Sequence, residues 1–453
     1  MGLKDFLLGT KRVPQSTELA AFYSDRLARW DEIYRGGGEW RWTRRGGIKG
    51  GTRRVAALNA AKAVCAELSR LCFSEGTELI SADGETEDFL KKVLAENGFY
   101  ERFPDFLEKV FALGGGVIKV YWDGGVKLDF VTADCFIPTK WDGSRITGGA
   151  FGSFVTNGGK SYILAETQEI TDEGCVIENR LMRTDGGRAE LSDVYPDLQE
   201  RSVISGLKKP MFVYFGAGSG VLPQCAPLGA SVFAGAEDTL KNLDIVFDSL
   251  GREFVLGKKR IIVPYYAVRG EYDENGDLKQ YFDVNDEVFQ ALSASDTDEL
   301  KISDNTAELR VTEHTEAIAS LLDLLCMQTG LSEGSLAYRD GTIKTAAEVV
   351  SRNSRTYRTQ SFYRRMISLG MAAVTENICL LGKMSGQLSA GAAETASLRF
   401  ADGVSEDEGT RVDRAVKLYS AGLISRERAL SQIYGITLEE AKRMEGENED
   451  GRA

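Results

Sequence analysis

Two apolar stripes of helical period, separated by an acidic strand-like segment, constrain the fold of this 453-residue chain more than any other feature. The first stripe lies within residues 236–256, where large apolar side chains recur every three or four residues. That spacing places them on one face of a helix about 30 Å long and favours packing against a second helix. The stripe comprises Leu240, Leu243, Phe247, Leu250 and Phe254.

The second stripe begins near Thr315 and predicts the partner helix. It comprises Ile318, Leu321, Leu322 and Leu325. Residues 261–311, between the two helices, have strand-like runs and the hairpin signal Asn275-Gly276. The acidic side chains around that signal are Glu271, Asp273, Glu274 and Asp277. They lack the fixed spacing of a calcium-binding loop, so a solvated strand face is the simpler interpretation and a metal or acid–base site is the alternative.

A polar loop from Ser332 to Gly341 follows the second helix and leads into a long helix predicted over residues 344–381. Gly334 and Gly341 give the ends of this loop conformational freedom. The helical segment is rich in arginine: Arg352, Arg355, Arg358, Arg364 and Arg365. These five side chains do not share one narrow face, which predicts that some of them form ion pairs between subunits.

The first half of the chain combines helical patterns with short alternating strand patterns, which is typical of an α+β fold. Helices are predicted over residues 18–34, 55–73, 89–94 and 103–113. A hairpin and further strands are predicted over residues 117–131, 150–154, 161–167 and 176–182. Residues 184–230 contain four prolines and are predicted to be irregular. Beyond a short strand at 398–400, the C-terminal region is predicted to be helical, with Ser425 and the pair Thr437 and Glu440 as helix caps.

Composition and motifs disfavour nucleic-acid binding and several kinds of catalysis. The net charge of −13 disfavours a general nucleic-acid-binding surface, which would be basic. His314 is the single histidine and is predicted to lie at the surface or to cap a helix, so a nucleophile–histidine–acid mechanism is disfavoured. Gly114-Gly115-Gly116 lacks the Lys-Ser/Thr of a phosphate loop. The seven scattered cysteines favour reduced thiols, with Cys65 and Cys72 on one helix face, and we predict no metal site and no cofactor. We expect neither a signal peptide nor a membrane span.

A cluster of aromatic and basic residues lies between two glycine runs near the N-terminus. It comprises Trp40, Arg41, Trp42, Arg44 and Arg45. Such a cluster could stack on and grip nucleic acid. The interpretation we favour is an arm that packs on a neighbouring subunit, with tryptophan as the anchor.

The long-helix region resembles the portal proteins of long-tailed bacteriophages, and the resemblance extends over most of the chain. Its most specific segments are Lys344-Thr345-Ala346-Ala347-Glu348-Val349 and Ser354-Arg355-Thr356-Tyr357-Arg358-Thr359. Weaker support comes from Asn59-Ala60-Ala61-Lys62, from residues 256–264 and from Gly422-Leu423-Ile424-Ser425.

The resemblance implies a ring of about twelve identical subunits, through which double-stranded DNA enters and leaves a capsid. Its implied partners are the terminase large subunit, a head–tail adaptor, and the major capsid and scaffolding proteins, with no membrane. The implied location is a capsid vertex of the virion, after assembly in the host cytoplasm. The implied domains are an N-terminal arm and wing (1–230), first stem helix (231–257), clip (258–311), second stem helix (312–331), tunnel loop (332–345), long helix and remaining wing (346–400) and crown (401–453).

Site residues follow from this layout by position. The apolar stripes become stem-packing residues, and the four acidic residues around Asn275 become a docking surface of the clip. The tunnel loop nearest the DNA would carry Glu333, Ser335, Tyr338, Arg339, Asp340 and Lys344. Its charges are of both signs, so the sequence leaves open whether the loop attracts or repels DNA.

Two other classes of protein remain open at this stage. Another phage head or adaptor protein is disfavoured by the long helix–sheet–helix excursion. A DNA-processing enzyme is disfavoured by the single histidine and the missing phosphate loop. An ATPase or nuclease assay distinguishes an enzyme from a scaffold, and electron micrographs distinguish a ring from other assemblies.

Overall fold

The computed structural model describes residues 17–45, 51–74, 76–81, 83–143, 145–185, 187, 189–217, 227–257, 261–262, 269–272, 278–281, 303–304, 308–336, 353–394, 396–400, 408–422 and 424–434. The chain forms two compact units, Met1–Cys72 with Ser81–Ser397 and Phe73–Ile80 with Leu398–Ala453. Helices and antiparallel sheets make up the described residues, as the sequence predicts for an α+β fold.

Helices form the N-terminal part of the first unit. They are α1 (Thr17–Tyr34), α2 (Ala60–Cys72), α3 (Gly84–Glu96) and α4 (Phe99–Leu113). Helix α4 is central because its apolar face, including Phe103 and Val110, is fully buried. Gly98 and Gly114 bracket it with φ of 57° and 84°, values that glycine adopts without a Cβ penalty. The thiols of Cys65 and Cys72 are buried on one face of α2, as predicted, and burial raises their pKa.

Two antiparallel sheets follow these helices. The first contains β4 (Gly115–Trp122), β5 (Val126–Thr132) and β11 (Phe212–Gly216), with β4 in the centre. The second has the order β10-β9-β8-β7-β6 and contains β6 (Phe136–Asp142), β7 (Arg145–Asn157), β8 (Lys160–Thr171), β9 (Gly174–Arg183) and β10 (Arg201–Ser205). Phe136 and Phe151 of the second sheet pack against Phe212 of the first, which joins the two sheets through one aromatic core.

A helix–strand–helix excursion leaves this body and returns to it. It contains α5 (Glu237–Leu256), β12 (Ile261–Ile262), β13 (Arg269–Tyr272), β14 (Leu278–Tyr281), β15 (Ser303–Asp304) and α6 (Val311–Thr329). Strand β12 pairs with β15 and β13 pairs with β14, both antiparallel. The long helix α7 (Ser354–Met384) then packs on the first sheet, where Gly370 admits the ring of Phe215 at a distance that a side chain would block.

The second unit is smaller. Its elements are a two-stranded sheet of β3 (Glu78–Ser81) and β16 (Ala396–Arg399), followed by α8 (Glu408–Ser420) and α9 (Arg426–Tyr434). Ser425 caps α9, since its Oγ accepts a hydrogen bond of 3.4 Å from the backbone N–H of Arg428. Thr437 and Glu440 lie outside the described residues.

Several sequence predictions need correction. The helix predicted from residue 55 begins at Ala60, because Asn59 takes a φ of 57° that ends regular structure there. The segment predicted to be irregular, 184–230, contains β10, which pairs with the preceding strand β9, and β11, which pairs with the distant strand β4. The strand predicted at 309–311 is absent from the described residues 308–311, since α6 already begins at Val311. Of the long helix predicted from residue 344, the structure describes the part from Ser354 onward.

Candidate functional site

The two helices of the excursion pack against each other along their length, and their burial decreases from one end to the other. At the end nearest the body, which we call the base, Leu240, Leu243 and Leu325 are buried. In the middle, Phe247, Leu250, Ile318 and Leu321 are partly buried. At the far end, which we call the tip, Phe254 is 51% exposed. The inner part of each predicted stripe therefore packs within the subunit, and Phe254 is left uncovered by it.

An ion pair joins the two helices at the tip. Glu253 of α5 accepts hydrogen bonds of 3.0 and 3.1 Å from the guanidinium of Arg310, and the His314 Nε2 lies 3.7 Å from the same carboxylate. The hydrogen bond from Arg310 is the main cause that lowers the pKa of Glu253 to about 2. His314 is thus half-buried between the helices near the start of α6, a more enclosed position than the predicted surface or capping role.

Two carboxylates on α5 hold the N-terminal segment against the base of the helix pair. Asp244 and Asp248 are four residues apart, so they lie on one helix face, and both are buried. Asp244 accepts hydrogen bonds from the indole of Trp40 at 2.9 Å and from the backbone N–H of Leu58 at 3.0 Å, and it forms an ion pair of 2.9 Å with Arg41. We call this arrangement, with the contacts of Asp248, the hairpin clamp.

Asp248 completes the hairpin clamp. Both of its oxygens accept hydrogen bonds of 2.7 Å from Arg53, and one also accepts a bond of 2.9 Å from the backbone N–H of Ala56. The bond from Arg53 is the main cause that lowers the pKa of Asp248. Burial lowers the pKa of Arg41, which Asp244 partly offsets. The clamped residues lie in or directly beside a hairpin of β1 (Trp42–Arg45) and β2 (Gly51–Arg54), which is thereby fixed to α5.

The hairpin clamp shows what two residues of the aromatic and basic cluster contact. Trp40 and Arg41 bind α5 of their own subunit. Trp42 is 61% exposed and remains available to another molecule. The side chains of Arg44 and Arg45 lie outside the described residues. Sequence reasoning missed the clamp, although Asp244 and Asp248, four residues apart on one face of α5, were a usable signal.

A reciprocal pair of hydrogen bonds joins the end of α6 to the start of α7. The backbone N–H of Ser332 donates to Thr356 Oγ1 at 2.8 Å, and the N–H of Thr356 donates to Ser332 Oγ at 3.1 Å. Thr359 Oγ1 also donates to the carbonyl of Gly330 at 2.6 Å. Ser332 thus satisfies a helix N-terminal amide that the N-cap Asn353 leaves without a side-chain partner. We call this arrangement the Ser332–Thr356 lock.

The lock places the first residues of the predicted tunnel loop. Gly334 has a φ of 83°, and its N–H donates to Asp323 at 3.0 Å, so this end of the loop is a fixed turn. Glu333 is exposed and Ser335 is half-buried. Tyr338, Arg339, Asp340 and Lys344 lie outside the described residues. The structure therefore brings Glu333 and Ser335 to the base of the helix pair and leaves the role of the whole loop a prediction.

The acidic segment forms the predicted hairpin. The register of β13 and β14 places Glu271 opposite Lys279. Asp273, Glu274 and Asp277 lie outside the described residues. In the part of the chain that the structure describes, no group of three or more His, Cys, Asp or Glu is placed to hold a metal ion. None of the described helices is long and apolar enough to cross a membrane.

Comparison with known proteins gives a family for the excursion and everything after it. Residues 229–452 match the model of the family described as "Phage portal protein, SPP1 Gp6-like". The predicted resemblance to phage portal proteins is therefore confirmed, over the part of the chain that contains the helix pair, the lock and the long helix. No curated protein matches the chain.

Two solved structures are similar to 83% of this chain and to 89% of their own chains. One is the virion of a native gene transfer agent particle, with 15% sequence identity and a TM-score of 0.45. The other is the neck of an empty gene transfer agent particle computed with C6 symmetry, with 14% identity and a TM-score of 0.42.

Proposed function

We propose that this chain is a portal protein that forms a ring at one capsid vertex and provides the channel for packaging and ejection of double-stranded DNA. The observation that carries the proposal is the family match over residues 229–452. It includes the helix pair and the long helix, the elements from which the sequence predicts a channel.

The proposed roles of the elements follow the predicted layout. Helices α5 and α6 are the stem, β12 to β15 belong to the clip that docks the terminase and later the adaptor, and α7 spans the wing. The loop after Ser332 is the tunnel loop, and residues 401–453 are the crown. The hairpin clamp and the Ser332–Thr356 lock support these roles. The clamp holds α5 and the lock holds the end of α6, both at the base of the helix pair, and the tip is left free to meet a partner.

Electron microscopy and native mass spectrometry of the purified chain test the proposal. We expect a closed ring with a central channel, since cyclic closure buries the unlike surfaces that a single subunit exposes. A ring of unexpected copy number is compatible with the proposal. Monomers at every protein and salt concentration would refute it.

An enzyme is the alternative to be separated from a portal. A portal depends on a separate ATPase for movement of DNA, so we expect the purified ring to lack ATPase and nuclease activity. Turnover of ATP or cleavage of DNA by the purified chain, abolished by substitution of its own residues, would favour a DNA-processing enzyme. The other alternative, a different head or adaptor protein, is tested in particles. A chain of that kind would not support DNA packaging when it is placed at the portal vertex.

A further inference from the structure

The first half of α7 exposes a stripe that contains both arginines and large apolar side chains. Its residues recur at intervals of three and four, which places them on one helix face. Its last residue lies fourteen positions after its first, so the stripe is about 21 Å long. Phe362 is 56% exposed and Leu369 67% exposed. The Arg/Phe stripe, as we call it, comprises Arg355, Arg358, Phe362, Arg365 and Leu369, all exposed.

This arrangement agrees with the prediction that the five arginines of the long helix do not all share one narrow face. Arg355, Arg358 and Arg365 share one, while Arg364 is half-buried on another side and Arg352 lies outside the described residues. The sequence alone concealed the pattern, because the register of the buried face was unknown.

Packing on the opposite side fixes the direction of the stripe. Tyr363 and Ile367 are buried against the body, and Gln360 donates a hydrogen bond of 2.6 Å to the carbonyl of Leu71. The Ser332–Thr356 lock holds the start of the helix. Further along, the helix is covered, since Glu376 pairs with Lys209 and Asn377 bonds to Pro210. The stripe therefore lies in the half of α7 whose outer face is left uncovered by the rest of the subunit.

The composition of the stripe identifies a protein rather than DNA as its partner. Arginine and aromatic side chains are enriched in the centres of protein interfaces, where guanidinium groups pair with carboxylates. Surfaces that contact DNA are polar and positively charged. Phe362 and Leu369 would meet the phosphate backbone together with the arginines, and their apolar surface would gain nothing there. The fitting partner presents carboxylates beside apolar side chains.

We propose that the Arg/Phe stripe docks on an acidic and apolar surface of a second copy of this chain. The chain carries 68 acidic against 55 basic residues, so a second copy offers an excess of carboxylates with which the three arginines can pair. A contact between the stripe and a different surface of the second copy is heterologous and can close a ring by rotation. This inference rests on the proposed function and assigns a surface to its ring.

The experiment combines substitution with cross-linking in the full-length chain. We expect Phe362→Asp with Leu369→Asp to raise the protein concentration for half-assembly at least about tenfold, as loss of a central interface contact does. Phe154→Asp is the matched control, because Phe154 is 62% exposed on β7, away from the stripe. Circular dichroism checks that each variant is folded. A photo-reactive phenylalanine at position 362 should cross-link to peptides of a second copy.

The outcomes separate this inference from the proposed function. Rings of the double variant that assemble like the unmodified chain would overturn the role of the stripe and leave the ring intact. Cross-links only to packaged DNA or to a different protein would also overturn it. Failure of the unmodified chain to form any ring would refute the proposed function as well.

Discussion

At the residue scale, Asp244 is the residue on which the packing of the base depends most. A single carboxylate satisfies an indole, a guanidinium and a backbone amide, and its side chain is almost completely buried together with that of Arg41. A buried charge that loses its partner retains its desolvation penalty, so the three groups are stable in this place only while the carboxylate is present. Trp40 and Arg41 therefore contribute to the packing of the base.

Replacement of Asp244 by alanine should therefore strongly destabilise the protein. We expect a loss of about 3–5 kcal/mol in the free energy of unfolding, since Arg41 is left buried and unpaired. Urea denaturation followed by tryptophan fluorescence measures it. Asn242→Ala, at an exposed position on the same helix, should change stability by less than about 0.5 kcal/mol. A loss below about 1 kcal/mol for Asp244→Ala would show that the clamp contributes little.

At the element scale, the Ser332–Thr356 lock makes the loop start and the long helix one structural unit. Each residue accepts a hydrogen bond from the backbone N–H of the other, and both are buried. A movement of the loop start would therefore be transmitted to the start of α7, where the Arg/Phe stripe begins. This coupling gives the proposed tunnel loop a mechanical connection to the proposed contact between subunits.

A double-mutant cycle tests the lock. Ser332→Ala and Thr356→Val should each reduce stability by about 1–3 kcal/mol, because each leaves a buried N–H without an acceptor. The two losses should not be additive, with a coupling of at least about 0.5 kcal/mol, since the two bonds form one unit. Thermal unfolding of the four proteins gives the cycle, and Ser354→Ala, at an exposed position in the same helical turn, is the control. Additive losses would mean that the two bonds act independently.

At the scale of the whole molecule, the excursion inserts short strands between two helices that pack against each other. Among the described strands of the excursion, β13 and β14 pair only with each other. The hairpin is thus a local structure between the ends of two helices that are already joined by Glu253 and Arg310. Its removal should leave the helix pair in place.

We therefore expect trimming of the hairpin to separate assembly from docking. Replacement of residues 271–277 by a short Gly/Ser turn should leave ring formation intact and abolish binding of the terminase large subunit to the ring. A second variant with Glu271→Gln, Asp273→Asn, Glu274→Gln and Asp277→Asn keeps the hairpin and removes its charge, so it shows whether shape or charge is recognised. Micrographs measure the ring and co-sedimentation measures the binding. Normal terminase binding to the trimmed ring would refute the clip assignment.

The sequence by itself determined the elements whose side-chain period is strong. Helix α5 was predicted as 236–256 and lies at Glu237–Leu256, because its apolar residues repeat every three and four positions. The hairpin of β4 and β5 was found from alternation and a glycine turn, and the family resemblance came from the motif before and within α7. These signals are local, so they can be recognised without knowledge of the fold.

Only the tertiary structure decided which polar residues are partners. Asp244 binds residues about 200 positions away, and Ser332 pairs with Thr356 across a segment whose course no local pattern specifies. Strand β11 was missed for the same reason, since it is stabilised by β4, which lies about 100 positions earlier in the chain. The outward face of α7 was likewise undefined until Tyr363 and Ile367 were seen to be buried, because a helix shows its free side only when its packed side is known.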